Sequence, residues 1–258
     1  MPNSIVFSLY FILSCLILAK FNKLVVFYPD QFMKITSMLL LFALVSFTVA
    51  AQKIALNKYG LAVITSHAQY EQQVKADSNQ RMVDLEKFIP GIKKDIRYAT
   101  TNNFTRQRLY TGTAIYMRLP AAKKLKAVQE ELKKKGFGLL IYDAYRPYSI
   151  TEKMFTIVPN DLYAADPRKG SGHNRGAAVD LSMVDLKTNL PVAMPTDFDN
   201  FTFKAHQNYK PADPNVLANR TLLRSTMFKY GFKGSSTEWW HYYLPDYKKY
   251  YLMDVIFN

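Results

Sequence analysis

Cysteine is almost missing: the 258 residues hold one, Cys15, inside an apolar run. A single thiol forms no internal disulfide and builds no thiolate zinc site. Histidine is scarce as well. His67, His173, His206 and His241 are the only four, so a bound metal has to draw on a few imidazoles and on carboxylate oxygen. Negative charge is the minority, 20 Asp and Glu against 34 Lys and Arg, for a net charge of +14. Such a balance suits nucleic acid, an anionic surface or an anionic polymer. The lysines, however, are scattered or fall on one predicted helix face (Lys123, Lys124, Lys126, Lys133, Lys134, Lys135). No nucleic-acid reader motif accompanies them, so the run reads as a solvated face and no nucleic-acid partner is expected. Repeats and low-complexity linkers are also lacking. With 49% hydrophobic residues, 18 Tyr and 17 Phe, the chain has ample material for one substantial core.

The first fifty residues hold no apolar run that reaches the roughly 20 residues of a membrane span. Two shorter runs are present, Ser4 to Leu18 and Ser37 to Ala50, separated by Lys20, Lys23 and Tyr28-Pro29-Asp30-Gln31. The second has the form of a secretory signal. Met33-Lys34 is a basic start, Met38 to Val45 the apolar stretch, and Val49-Ala50-Ala51 a small-residue cleavage site before Gln52. Residues 1–32 are then an upstream extension of the reading frame and 33–51 the signal peptide. The mature protein is expected to be exported, in the periplasm, with no stable membrane insertion after cleavage. A hairpin of two membrane helices is the competing reading. Residues 52–82 are expected to pack as an N-terminal segment on a single domain over 83–258.

Within that domain the patterns of helix and strand are mixed. Tyr70 to Val74 suggests a short helix, and Lys94 to Tyr98 alternates as a strand would. Pro120 opens a helix with Ala122, Leu125, Val128 and Leu132 on one face, ended by Gly136. Gly138 to Tyr142 reads as a buried strand, and Pro147 starts a helix through Phe155. Ala177 to Val184 alternates as a strand. Pro214 to Tyr230 is a helix with Leu217, Leu223 and Met227 inward and Gly231 as its stop. Trp239 to Leu244 is a last strand. Lacking a regular βαβ alternation, the chain is expected to be α+β, with a mainly antiparallel sheet and flanking helices.

Two short stretches carry the chemistry. In Ser171-Gly172-His173-Asn174-Arg175-Gly176-Ala177-Ala178-Val179-Asp180, an imidazole is followed seven residues later by a carboxylate. Asp180 lies among Ala177, Ala178, Val179 and Leu181, where an unpaired charge is expensive, so it is expected to be paired or metal-bound. Glu238-Trp239-Trp240-His241 supplies a second imidazole and a spare carboxylate. Two His and one Asp make a three-ligand zinc set with a position left for water. A carboxylate beside that water is the usual means of removing its proton. Glu238 and His241 fall on opposite faces of a regular strand, so both reach one metal only across a bend. Arg146, at the end of a buried strand, is either a structural partner of Asp143 or a fixed cation aimed at a developing oxyanion. His67 and His206 have no partner pattern and read as surface or structural.

Together these motifs resemble the D-alanyl-D-alanine dipeptidases, the VanX type of zinc peptidase, which share a fold with D,D-carboxypeptidases and the hedgehog signalling domain. The resemblance runs from about Val83 to Leu244. It rests on Arg97-Tyr98-Ala99-Thr100 with Asn103-Phe104-Thr105, Asp143-Ala144-Tyr145-Arg146-Pro147, Ser171-Gly172-His173 to Asp180, Phe198-Asp199, and Glu238-Trp239-Trp240-His241. It implies that His173, Asp180 and His241 hold one Zn2+ per chain, that Glu238 is the catalytic base, and that Arg146 stabilises the transition state. It further implies that Ser171 and Tyr98 line the substrate pocket and that Asp199 holds the ammonium group of a small D,D-dipeptide. The implied reaction is hydrolysis of D-alanyl-D-alanine to two D-alanine. The rivals are a D,D- or L,D-carboxypeptidase acting on peptidoglycan stem peptides and a zinc-binding domain without turnover.

Overall fold

The computed structural model describes residues 54–257; the upstream extension and signal expected over 1–51 lie outside the described residues. In chain order the strands are β1 (Val63–Ile64), β2 (Met82–Asp84), β3 (Lys93–Lys94), β4 (Tyr116–Arg118), β5 (Phe137–Asp143), β6 (Ala178–Asp185), β7 (Lys233–Gly234), β8 (His241–Tyr243) and β9 (Leu252–Met253). The helices are α1 (His67–Ala76), α2 (Leu85–Phe88), α3 (Leu119–Lys133), α4 (Tyr148–Ile157) and α5 (Pro214–Lys229). Among the described residues no helix is long and apolar enough to cross a membrane.

The central sheet has the order β3-β5-β6-β8-β7. Its β5–β6, β6–β8 and β7–β8 pairs are antiparallel, and the edge pair β3–β5 is parallel. The fold is thus α+β as expected, with a mixed sheet that is mainly antiparallel. β5 and β6 are buried along nearly their whole length, which requires apolar residues on both faces instead of an alternation. The alternation read in Ala177 to Val184 is therefore a partial pattern only: Val179, Leu181 and Met183 share one face, but Ala178 and Ser182 are equally buried.

Helix α3 covers this sheet. Pro120 sits in its first turn, and Ala121, Ala122, Leu125, Val128 and Leu132 bury one face. Truncating a side chain such as Leu125, which is fully buried, to alanine costs about 2–5 kcal/mol. Helix α5 starts on Asp213, whose carboxylate accepts from Asn215 N–H, and stops at Gly231 in the left-handed region at φ +83°. Its Leu223 and Met227 point inward, but Leu217 is 38% exposed, so the buried face of this helix begins only at Arg220.

Lys94 to Tyr98 is not a continuous strand. Only Lys93–Lys94 pairs, and Arg97–Ala99 curls into a 3-10 turn. The cause is local: the Asn103 side-chain amide donates to the carbonyls of Arg97, Thr100 and Gln107, which draws the chain into a loop. The N-terminal segment is pinned at two places, by the parallel pairing of β1 with β9 and the antiparallel pairing of β2 with β4. Ile64, Tyr70, Met82, Tyr145, Met253 and Val255 form a second small core there.

Candidate active site

Sheet register sets the site. Asp143 of β5 pairs with Asp180 of β6, and Asp180 pairs with His241 of β8, so three polar residues lie in a row across strands that are otherwise apolar. A register irregularity between Ile141 and Asp143 shifts the end of β5, the kind of local bulge that re-aims side chains beside a site. His173 joins the row from the 3-10 turn His173–Arg175 immediately before β6.

His173 is 2% exposed. Its Nδ1–H donates to the Ala144 carbonyl at 2.7 Å, which leaves the Nε2 lone pair facing inward. That Nε2 is 3.2 Å from His241 Nδ1 and 3.4 Å from Asp180 Oδ2, and His241 Nδ1 is 2.9 Å from Asp180 Oδ1. A tetrahedral ion with bonds of 2.0–2.1 Å sets neighbouring donor atoms about 3.3 Å apart. The donor set and spacing fit zinc. Burial alone would raise the Asp180 carboxyl, but His173 and His241 beside it hold it well below the usual carboxylate range. Burial opposes charge on His241, and the hydrogen bond to Asp180, with the charges of Asp180 and Glu238, outweighs it and draws its pKa up.

Arg146 is buried and fixed on Asp143, with Nε and Nη2 at 2.9 and 2.6 Å from Asp143 Oδ2. Tyr110 donates to the other oxygen of Asp143 at 2.7 Å. Arg146 also lies 3.9 Å from Asp180 Oδ2 and 5.1 Å over the ring of Tyr98. Burial works against its charge, and Asp143, Tyr98, Tyr110 and Asp180 together more than restore it. The structural reading of Arg146 is present, since it pairs with Asp143, and that pair holds the guanidinium at the cavity wall.

The bend required between Glu238 and His241 is present. Trp239 and Trp240 form it just before β8, both rings buried and packed edge to face at 5.4 Å. Trp239 Nε1–H donates to Thr196 Oγ1 at 2.9 Å. The strand expected from Trp239 is thus shorter, His241–Tyr243. Burial raises the Glu238 carboxyl, His241 lowers it and Asp180 raises it, for a net upward shift. Asp199 adopts φ +60°, an uncommon conformation for a non-glycine residue. It is held by Phe198, which stacks on Tyr142 at 4.7 Å and meets Trp240 at 5.4 Å. Its carboxyl takes a hydrogen bond from Tyr98 Oη at 3.1 Å and one from Phe104 N–H at 3.4 Å. Burial, then repulsion from Asp180, pushes it up to about 7.

One open cavity of about 890 Å³ is lined by His173, Asp180, His241, Glu238, Arg146, Ser171, Tyr98 and Asp199. All eight residues singled out in the sequence therefore face a common space. His206, read as surface or structural, lies on its rim, and Tyr163, Phe201 and Trp240 supply apolar wall. Two supporting residues carried no usable signal. Tyr110 reaches Asp143 from 33 positions away. Asn174 ties Ser171 to the Arg146 carbonyl, accepting from Ser171 N–H and donating at 2.9 Å to the Arg146 oxygen; only its place beside His173 hinted at a role.

Two imidazoles, a carboxylate and an open cavity holding a free glutamate and a guanidinium define a mononuclear zinc hydrolase of the metallopeptidase kind. The model of the D-Ala-D-Ala dipeptidase family matches residues 65–258. The chain is 32% identical over 172 residues to the D-alanyl-D-alanine dipeptidase of Escherichia coli K12, covering 67% of this chain and 89% of that one. It is 32% identical to the D-alanyl-D-alanine dipeptidase of Enterococcus faecium, covering 63% and 90%. Among solved structures, the LdcB LD-carboxypeptidase aligns with a TM-score of 0.38 and 17% identity over 65% of this chain and 69% of that one. The chain belongs to the D-Ala-D-Ala dipeptidase family. The family match begins at residue 65 and takes in α1 and β2.

Proposed function

We propose that this protein hydrolyses D-alanyl-D-alanine in a zinc-dependent reaction, with His173, Asp180 and His241 as the metal ligands. The observation that carries the reading is the convergence of those three donors, 2.9–3.4 Å apart, in a cavity that also contains Glu238, Arg146 and Asp199. Bound there, zinc supplies Lewis acidity toward the scissile carbonyl and makes a water easier to deprotonate. Glu238, whose burial favours proton uptake, takes the proton of the attacking water and passes it to the leaving nitrogen. Arg146, held rigid by Asp143, presents its guanidinium to the oxygen that gains charge, a contribution of about 3–4 kcal/mol for one such donor. Asp199 pairs with the free ammonium group, and Tyr98 and Ser171 shape the wall around the substrate. An acylated or extended N-terminus offers an amide in place of the ammonium and loses that pair, which selects for dipeptides. The signal pattern over 33–51 supports an exported, periplasmic enzyme, and N-terminal sequencing of the exported chain checks it.

The test is a comparison of D-Ala-D-Ala with N-acetyl-D-Ala-D-Ala on the zinc-loaded protein. The free dipeptide is expected to be cleaved and the acetylated one to be left intact. Faster cleavage of the acetylated peptide would overturn the dipeptidase reading in favour of a carboxypeptidase.

A further inference from the structure

A second buried arginine, Arg118 at the end of β4, is fully inaccessible. Unlike Arg146 it forms no ion pair with a carboxylate among the described residues; burial, the foremost influence on it, pulls its pKa down to about 10, and Tyr70, Tyr250 and Tyr145 oppose that. A charge held under such conditions is costly, and a methionine or leucine would fill the space more cheaply unless the fork itself is needed. Its bonds show what the fork does. Nε donates to the Arg175 carbonyl at 2.9 Å, Nη1 to the Gln80 carbonyl, and Nη2 to Met253 Sδ at 3.0 Å. The guanidinium also lies 5.3 Å over the Tyr250 ring. The backbone N–H of the same residue donates to the Gly176 carbonyl at 2.8 Å.

Arg175 and Gly176 end the turn that carries His173. One residue thus holds two consecutive carbonyls of that turn, while β5 and the residues after it hold its other side, through Ala144 on the imidazole and Arg146 N–H on the His173 carbonyl. The contact is close. Gly176 has φ +66°, and a Cβ there would meet Met82 Cε at 2.6 Å and Arg118 Cγ at 3.4 Å, so the turn seats directly on β2 and β4. We propose that Arg118 is a positioning residue for the metal site, fixing the His173 turn from behind and tying it to the N-terminal segment at Gln80 and to β9 at Met253. The inference rests on the zinc reading above. It makes the segment before Val83 part of the metal-holding frame.

The test uses the full-length chain and reads zinc affinity by competition with a chelating dye, alongside melting temperature with and without zinc. In Arg118→Lys, one point charge replaces the three-way fork. The zinc dissociation constant is expected to rise roughly 10–100-fold, as for other residues that orient a ligand from behind, and the zinc-induced rise in melting temperature to shrink accordingly. KM for D-Ala-D-Ala is expected to stay within about twofold, because Arg118 does not line the cavity. A role in stability alone lowers the melting temperature equally with and without zinc and leaves affinity within twofold, and that result would overturn the proposal. Met253→Leu, which keeps volume and frees one arm of the fork, provides a milder variant should Arg118→Lys fail to fold. Its zinc affinity is expected to fall about threefold to tenfold, and an unchanged value overturns the proposal equally. A wild-type chain that binds zinc but leaves D-Ala-D-Ala intact would refute the substrate and spare the role of Arg118, whereas a wild-type chain that binds no zinc would refute both.

Discussion

Asp180 and Asp199 line one cavity, yet their surroundings drive them apart. Asp180 sits between two imidazoles and is kept ionised despite its burial, whereas Asp199 has a hydroxyl, one peptide N–H and a like charge for neighbours and is pushed up to about 7. The first environment suits a permanent ligand to a cation. The second keeps a carboxyl poised to ionise when a cationic group arrives. A pair of carboxyls separated in this way marks two roles in one site, and the metal end and the proposed ammonium end of the cavity can be broken independently.

The largest effect is expected at the metal end. Asp180→Ala removes one of three ligands, and elemental analysis after dialysis is expected to show the zinc content fall from one per chain to near zero, with turnover lost. Glu238→Ala is expected to keep its zinc and lose about 10²–10⁴ in kcat; normal turnover would remove Glu238 from the chemistry. Arg146→Lys keeps the charge and discards the planar fork on Asp143. A loss of about 10²–10³ in kcat with little change in KM is expected from steady-state kinetics.

The ammonium end responds differently. Asp199→Asn is expected to raise KM for D-Ala-D-Ala roughly 10–100-fold, the worth of one charge-assisted pair, and to erase the preference over the acetylated peptide. A KM that does not move would detach Asp199 from substrate binding. The smallest effect is on stability. A carboxyl raised in the folded state binds more protons there than in the unfolded chain, so stability falls as pH rises from the unfolded value near 4 to about 7. Urea titrations of the metal-free protein across that window are expected to show this slope, and Asp199→Asn to flatten it.

The two ends also differ in how legible they are in the sequence. Asp180 stands out as a carboxylate among apolar neighbours, and His173, His241, Glu238 and Arg146 occupy motifs whose spacing carries chemical meaning. Asp199 is readable only through the family resemblance, because its loop has no periodicity and its backbone depends on the stacking of Phe198 against Tyr142 and Trp240. The spacing of Glu238 and His241 demands a bend and the structure contains one, but nothing local shows that two buried tryptophans make it. Strand register is the deeper gap. The alignment of Asp143, Asp180 and His241 is set by pairing between residues 37 and 61 positions apart, beyond any local pattern. The same limit explains Lys94 to Tyr98, where alternation suggests a strand and the Asn103 amide, several residues on, decides for a turn. It explains Arg118 as well, which reads as an ordinary basic residue at a helix start until Gln80, Arg175 and Met253 are brought around it.

Hydrolysis at this site depends on a single ion between His173, Asp180 and His241. Anomalous diffraction at the zinc edge from crystals of the zinc-loaded protein measures that directly. One strong peak per chain is expected, about 2.0–2.2 Å from His173 Nε2, His241 Nδ1 and an Asp180 oxygen; a peak elsewhere, or none at these three side chains, would rule out the zinc site.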